Sequence, residues 1–191
     1  MTESLRMWTE VAFNITYLVV IWGMVLTMAV QRNNLAGASR TLGERVLWAF
    51  ALLALGDTGH VGFRVVAYAL GGLESHPLLV GLGALSTAYT VTVFYMLMVG
   101  IWQKRFGQPL GWSGRLLLAA GILRMVVMAF PQNRWEALVA PYEWALFRNA
   151  FLVIQGVGVM YLILRDAFRA SDTAFKWIGI MIALSYAFYT P

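Results

Sequence analysis

Six continuous apolar stretches of about 20 residues constrain what this chain can fold into. A helix needs about 20 apolar residues to cross the ~30 Å hydrocarbon core of a bilayer. The stretches are about 8–30, 46–70, 77–101, 113–130, 142–164 and 173–190. Runs such as Val46 to Leu55 lack the apolar–polar alternation of barrel strands. The sequence therefore predicts an all-α, polytopic transmembrane helix bundle, with residues 1–191 as one integral membrane domain. It leaves open whether six helices are complete or a seventh is missing at the C-terminus.

Composition supports this prediction and excludes several functions. The chain is 60% hydrophobic and 12% charged, against about 45–50% and about 25% in soluble domains, which excludes an ordinary soluble enzyme. The absence of cysteine excludes disulfides, iron–sulfur clusters and thiolate zinc sites. The two histidines, His60 and His76, do not form the bis-histidine haem pairs that diheme membrane cytochromes need. We expect no cofactor and no bound metal.

The basic residues in the loops predict an orientation, because cytoplasmic loops carry an excess of Lys and Arg. Eight lie in the first, third and fifth connections: Arg32, Arg40, Arg45, Lys104, Arg105, Arg115, Arg165 and Arg169. Only Arg6 and Arg134 lie on the other side. The sequence thus predicts an N-terminus outside and the plasma membrane as the location. This topology accounts for the net charge of +5, so we expect the lipid bilayer, and no nucleic acid, as a partner.

The second apolar stretch carries three ionisable residues, Asp57, His60 and Arg64. Spacings of three, four and seven place them on one face of a helix. Each costs about 2.5–3.5 kcal/mol inside a membrane, so such residues indicate a function or a partner. We expect Arg64, Arg124 or Arg148 to pair with Asp57. For His60, a proton-transfer role and a neutral, hydrogen-bonded core histidine both stay open.

Three arginines are predicted at one depth in the membrane. Arg64, Arg124 and Arg148 each lie six residues from the outer end of a predicted helix, which is about 9 Å at 1.5 Å per residue. The other polar residues that we predict for this outer site are Glu10, Asn14, Glu143 and Asn149. Three interpretations of the arginines stay open. They snorkel to the headgroups, they form structural ion pairs, or they bind an anionic ligand with their planar guanidinium groups.

The leading functional prediction is a multi-pass membrane protein that binds a small anionic or amphipathic ligand, with transport as an extension, in an outward-facing polar pocket. One alternative is an intramembrane enzyme in which Asp57 and His60 act as acid and base on a lipid-like substrate. A second alternative is a membrane sensor whose partner contacts the cytoplasmic loops. The sequence does not decide between these classes or name a substrate.

Overall fold

The computed structural model describes residues 3–189, with side chains from 7 to 186, and this part of the chain is all-helical. The six α-helices are α1 (Glu3–Gln31), α2 (Gly37–Ala69), α3 (Pro77–Phe106), α4 (Trp112–Met128), α5 (Tyr142–Arg169) and α6 (Thr173–Tyr189). Short 3-10 helices, Arg32–Asn34 and Pro131–Asn133, lie in two of the connections. The predicted helical bundle is confirmed.

Four of the helical segments are long and apolar enough to cross a membrane. They are Met7–Asn34, Gly37–Ala69, Pro77–Phe106 and Tyr142–Arg169. The helices α4 and α6 have 17 residues each, which corresponds to about 25 Å of helix. The C-terminal limit predicted for the last helix, residue 190, lies outside the described residues.

Helix bounds differ most from the prediction at the start of α2. This helix begins at Gly37, nine residues before the predicted limit of about 46, because hydropathy marks only the apolar part of a helix. The added turns are polar and include an ion pair between Arg40 and Glu44 at 3.3 Å. Such a pair one turn apart suits a solvated helix surface.

The helix ends carry the expected local signals. α3 begins with Pro77, where the missing N–H costs nothing. It ends at Phe106, and the next residue, Gly107, has a φ of 62°, in the left-handed region that glycine adopts without strain. These signals explain why a long apolar helix starts and stops at these residues.

Helix packing follows an order that places α3 at the centre. α1 packs on α2, α2 has its largest contact with α3, and α5 contacts α3, α4 and α6. The main core lies among α3, α5 and neighbouring helices, and it includes Phe94, Met98, Leu117 and Ile163. A smaller cluster of Val25, Leu47 and Ala54 joins α1 to α2.

Glycine allows α2 and α3 to approach closely. A Cβ on Gly56 or Gly59 would overlap the side chain of Thr90 or Ser86, respectively. A Cβ on Gly83 would lie 3.0 Å from the carbonyl oxygen of His60. Small residues at a helix interface permit such contact between backbones. The glycines of α2 and α3 thus allow the two helices to pack closely.

The end of the bundle where α3 and α5 finish is held by buried carboxylates. Asp166 accepts hydrogen bonds from Trp102 Nε1 at 2.8 Å and from Arg165. Asp172 lies 2.6 Å from Arg105 Nε. Burial alone would raise the pKa of the Asp172 carboxyl, but hydrogen bonds from the Phe175 N–H and from Arg105 outweigh it, so this pKa is lowered.

Candidate functional site

The polar residues form two separate groups, one on each side of α3. We call the first the α1–α2 seam, which comprises Glu10, Tyr17, Asp57, His60, Arg64 and Tyr68. We call the second the arginine cluster, which comprises Thr92, Tyr95, Arg124, Asn133, Trp135, Arg148, Gln155 and Tyr186. Their contacts differ in kind, because carboxylates occur only in the seam.

Within the seam, Arg64 is paired with Glu10. Its Nε donates to Glu10 Oε1 at 3.0 Å and its Nη2 at 2.5 Å, while the Tyr68 hydroxyl donates to Glu10 Oε2 at 3.0 Å. Both side chains of the pair are about one quarter exposed, at 24% and 28%. The charge of Arg64 is therefore balanced inside the seam, as the structural interpretation of this arginine expected.

Asp57 has a different partner from the one expected. The Tyr17 hydroxyl donates to Asp57 Oδ2 at 2.7 Å, whereas Arg64 is engaged by Glu10 and the other two arginines lie beyond α3. The prediction that an arginine holds Asp57 is wrong. Tyr17 escaped the sequence analysis because a tyrosine in an apolar helix reads as part of the lipid-facing surface.

His60 lies on the side of the seam that meets α3. It interacts electrostatically with Asp57, Arg64 and Glu10, and its backbone lies against Gly83 of α3. Its Nδ1 is buried without a hydrogen-bond partner among the described residues. An unpartnered buried nitrogen costs free energy, so His60 is not a fully satisfied core histidine.

The other three residues predicted for the site lie on α1 and α5. Asn14 is partly buried on α1, one helical turn from both Glu10 and Tyr17 of the seam. Glu143 and Asn149 are exposed on α5. Asn149 follows Arg148 directly, but successive residues on a helix point about 100° apart. The exposed side of α5 is therefore not part of the arginine cluster.

Arg124 forms the centre of the arginine cluster. It is 3% exposed and donates from Nη1 to the Ala88 carbonyl at 3.0 Å and to the Thr92 hydroxyl. Its Nε donates to the carbonyl oxygen of Arg148 at 3.2 Å. These contacts join α4 to α3 and α5. Every acceptor is neutral, so none of them balances the guanidinium charge.

Arg148 lies one layer closer to the α4–α5 connection. Its Nη1 donates to Asn133 Oδ1 at 3.1 Å, and its guanidinium carbon lies 4.5 Å from the Trp135 ring centroid. That distance is typical of a cation–π contact. Asn133 is fully buried, and its amide nitrogen also donates to the carbonyl oxygens of Val127 and Phe130. The connection is thus a structured cap over this arginine.

The cap is seated on α3 at a glycine. A Cβ on Gly81 would overlap the backbone carbonyl of Trp135. The turn also holds Arg134 at a φ of 49°, an uncommon conformation for a residue other than glycine. Sequence reasoning missed Trp135 and did not assign Asn133 to the site, because it is this loop conformation that brings both residues to Arg148.

Next to Thr92, the arginine cluster also contains a buried amide side chain. Gln155 is fully buried, its Nε2 donates to the Thr92 carbonyl at 3.3 Å, and its Oε1 has no partner among the described residues. The ring centroids of Tyr95 and Tyr186 lie 6.1 Å apart, and the Tyr186 hydroxyl donates to the Leu152 carbonyl at 2.8 Å. A single glutamine within an apolar helix was the signal that could have indicated this position.

Of the three arginines predicted for one site, the structure brings two together. Arg124 and Arg148 are neighbours, and Arg64 lies across α3 with Glu10. Among residues 7–186, no carboxylate forms an ion pair with Arg124 or Arg148. In the same range no group of three acidic, histidine or cysteine side chains is placed to hold a metal ion. The arginine cluster is therefore a locus of unbalanced positive charge.

The described part of the chain is thus an all-helical bundle that contains two polar groups, and four of its helices are long and apolar enough to cross a membrane. Comparison with protein-family models, curated proteins and solved structures finds no match. The function is accordingly argued from the residues of this chain alone.

Proposed function

We propose that the chain is a multi-pass membrane protein that spans the plasma membrane six times with its N-terminus outside. Four long apolar helices support this proposal, as does the outer surface of α1, where Phe13 and Val30 are each 70% exposed. Lipid tails would cover such a surface. At about 25 Å, α4 and α6 would cross by modest local thinning of the bilayer.

The orientation is tested with cysteines introduced into a chain that has none of its own. Ser39 and Ser75 are both exposed and lie at opposite ends of α2. We expect an impermeant thiol reagent on intact cells to label Ser75→Cys and to leave Ser39→Cys unlabelled. Labelling of Ser39→Cys alone would reverse the orientation, and labelling of both would contradict the crossing by α2.

For the function, we propose that the arginine cluster binds the anionic group of a small or amphipathic molecule. The observation that carries this proposal is the neighbouring pair Arg124 and Arg148, for which no described carboxylate provides a counter-charge. Two guanidinium groups close together in a medium of low dielectric repel each other. An anion between them would remove that repulsion and gain charge-assisted hydrogen bonds.

Snorkelling does not account for both arginines. Arg148 lies beside the cap, but Arg124 is 3% exposed and directs its hydrogen bonds into α3 and α5. A snorkelling side chain keeps its charged end in water or among headgroups. The buried position of Arg124 therefore favours recognition over simple anchoring.

A row of aromatic rings beside Arg148 favours an amphipathic ligand. Trp144, Phe147 and Phe151 follow one side of α5 with ring centroids 6.3 and 5.3 Å apart, and Phe130 joins the row at 5.9 Å from Trp144. Phe147 is 50% exposed. An apolar tail would lie along this row while the anionic group reaches the arginines.

The binding proposal is tested by native mass spectrometry of the full chain in detergent, with dodecanoate as the amphipathic probe and inorganic phosphate as the small one. We expect Arg148→Lys to weaken binding by about tenfold, because lysine keeps the charge but loses the planar fork, a loss of about 1.4 kcal/mol. We expect dodecanoate to bind more tightly than phosphate. Arg134→Lys, on the exposed residue of the same connection, should bind like the wild type.

Two outcomes would contradict this proposal. Equal binding in Arg148→Lys and the wild type would remove Arg148 from the site. Absence of binding of either probe to the wild type would mean that the cluster is not an anion site. The alternative of an enzyme that uses Asp57 and His60 while the arginines hold the headgroup is disfavoured, because those two residues lie on the other side of α3 from Arg124 and Arg148.

A further inference from the structure

Asp57 has no ion-pair partner among the residues whose side chains the structure describes. Its carboxylate accepts a hydrogen bond from a neutral donor, the Tyr17 hydroxyl, at 2.7 Å, and Arg64 is engaged by Glu10. An ionised Asp57 beside a neutral His60 would therefore carry a negative charge that no described cation balances. Such a charge is costly at the middle of a membrane-spanning helix.

Among the residues whose side chains the structure describes, the groups around Asp57 and His60 supply no other counter-charge. On α1 the titratable groups facing the pair are Glu10 and Tyr17, and on α2 the further one is Arg64. On α3 the side chains that meet this part of α2 are hydroxyls, such as Thr87, whose Oγ1 donates to the Gly56 carbonyl at 3.1 Å. The missing positive charge is therefore most simply a proton.

His60 is placed to take part in holding it. It lies one helical turn from Asp57 and interacts with it electrostatically, and its Nδ1 is buried with no hydrogen-bond partner in the described part of the chain. A nitrogen in that situation gains from contact with a donor or from carrying a proton itself. Binding of one and the same proton would therefore stabilise either Asp57 or His60.

We propose that Asp57 and His60 together form a site for one exchangeable proton. The proton resides either on a carboxyl oxygen of Asp57, with a neutral imidazole, or on His60 as an imidazolium beside the Asp57 carboxylate. Two interacting groups of this kind titrate as a pair, and neither has an independent proton affinity. The site does not depend on the proposed anion site, which lies across α3.

The first test uses isotope-labelled histidine in the full-length protein in bilayer nanodiscs, followed by magnetic resonance over a range of pH. The chain has two histidines, so His76 in the α2–α3 connection is an internal reference. We expect Asp57→Asn to reduce the ratio of protonated to neutral His60 at a given pH by about tenfold or more, as for groups coupled by about one pH unit. His76 should be unaffected, and so should both histidines in the exposed-loop variant Glu74→Gln.

The second test covers the case in which Asp57→Asn does not fold. In His60→Gln the proton has only Asp57 to reside on, so we expect an infrared band of a protonated carboxyl group at neutral pH. Carbon-13 labelling of the aspartate side chains should shift this band, and the same labelling of the glutamate side chains should not. The proposal is overturned if His60→Gln shows no protonated carboxyl at neutral pH. It is also overturned if His60 is protonated in the wild type and Asp57→Asn leaves that protonation unchanged. A His60 that is neutral in both proteins places the proton on Asp57.

Discussion

Replacement of Gly81 by alanine is expected to lower the free energy of unfolding by about 2 kcal/mol. The new Cβ would overlap the backbone carbonyl of Trp135, and a backbone atom cannot rotate away as a side chain does. Overpacking costs about 1–3 kcal/mol, partly offset by the better helix propensity of alanine, which is worth up to about 1 kcal/mol. Unfolding by a denaturing detergent measures the difference.

A second glycine provides the matched control. Gly62 also lies within a helix, α2, but a Cβ there would meet nothing within 4 Å. We expect Gly62→Ala to be as stable as the wild type or more stable by up to about 1 kcal/mol. Gly81→Ala should also bind dodecanoate less well, because the displaced cap carries Asn133 and Trp135. Equal stability of the two variants would show that the cap does not depend on close contact with α3.

Most helix limits could be predicted because they depend on local signals. The predicted start of α3 agrees with Pro77, a residue that favours the first position of a helix. Its end was predicted at about 101 and lies at Phe106, next to Gly107, whose preference for the left-handed conformation acts only locally. The start of α2 at Gly37 was missed because the turns before the apolar stretch are helical but polar. Hydropathy identifies the part of a helix that lipid would contact, and not its full hydrogen-bonded length.

The composition of the two polar groups could not be predicted, because it depends on which helices are neighbours. Arg64, Arg124 and Arg148 share a depth in the sequence analysis, yet α3 separates the first from the other two. That separation follows from what packs on each side of α3. On one side α2 packs closely, with Gly59 of α2 against Ser86 and Gly83 of α3 against the His60 backbone. On the other side the Trp135 carbonyl packs against Gly81. Contacts between residues distant in sequence decide this order, and a single sequence does not contain them in readable form.

Asp57 illustrates the same limit. The free-energy cost of a charge in a membrane correctly predicted that a carboxyl group inside an apolar helix has a partner. That cost alone did not show whether the partner is a guanidinium or a hydroxyl group. The observed partner, Tyr17, is 40 residues away on α1. The choice between them matters chemically, because a hydroxyl leaves the charge of the carboxylate unbalanced.

Replacement of Arg124 by methionine should abolish binding of dodecanoate while leaving the protein as stable as the wild type, or more stable. A buried arginine without a counter-ion is costly, and exchange of buried ions for apolar residues of similar size is often neutral or stabilising by about 1–4 kcal/mol. No acceptor is stranded by the change. The Thr92 hydroxyl itself donates to the Ala88 carbonyl at 2.7 Å, and the Arg148 carbonyl lies within the hydrogen-bonded helix α5.

The same substitution at Arg64 is the matched control and should behave in the opposite way. Arg64→Met removes the ionic partner of Glu10, so we expect a loss of about 1–3 kcal/mol, less than for a fully buried pair, with dodecanoate binding retained. Binding and unfolding measured on both variants separate a recognition role from a structural one. If Arg124→Met unfolds as readily as Arg64→Met and still binds dodecanoate, Arg124 is a structural residue and the anion site must be sought elsewhere.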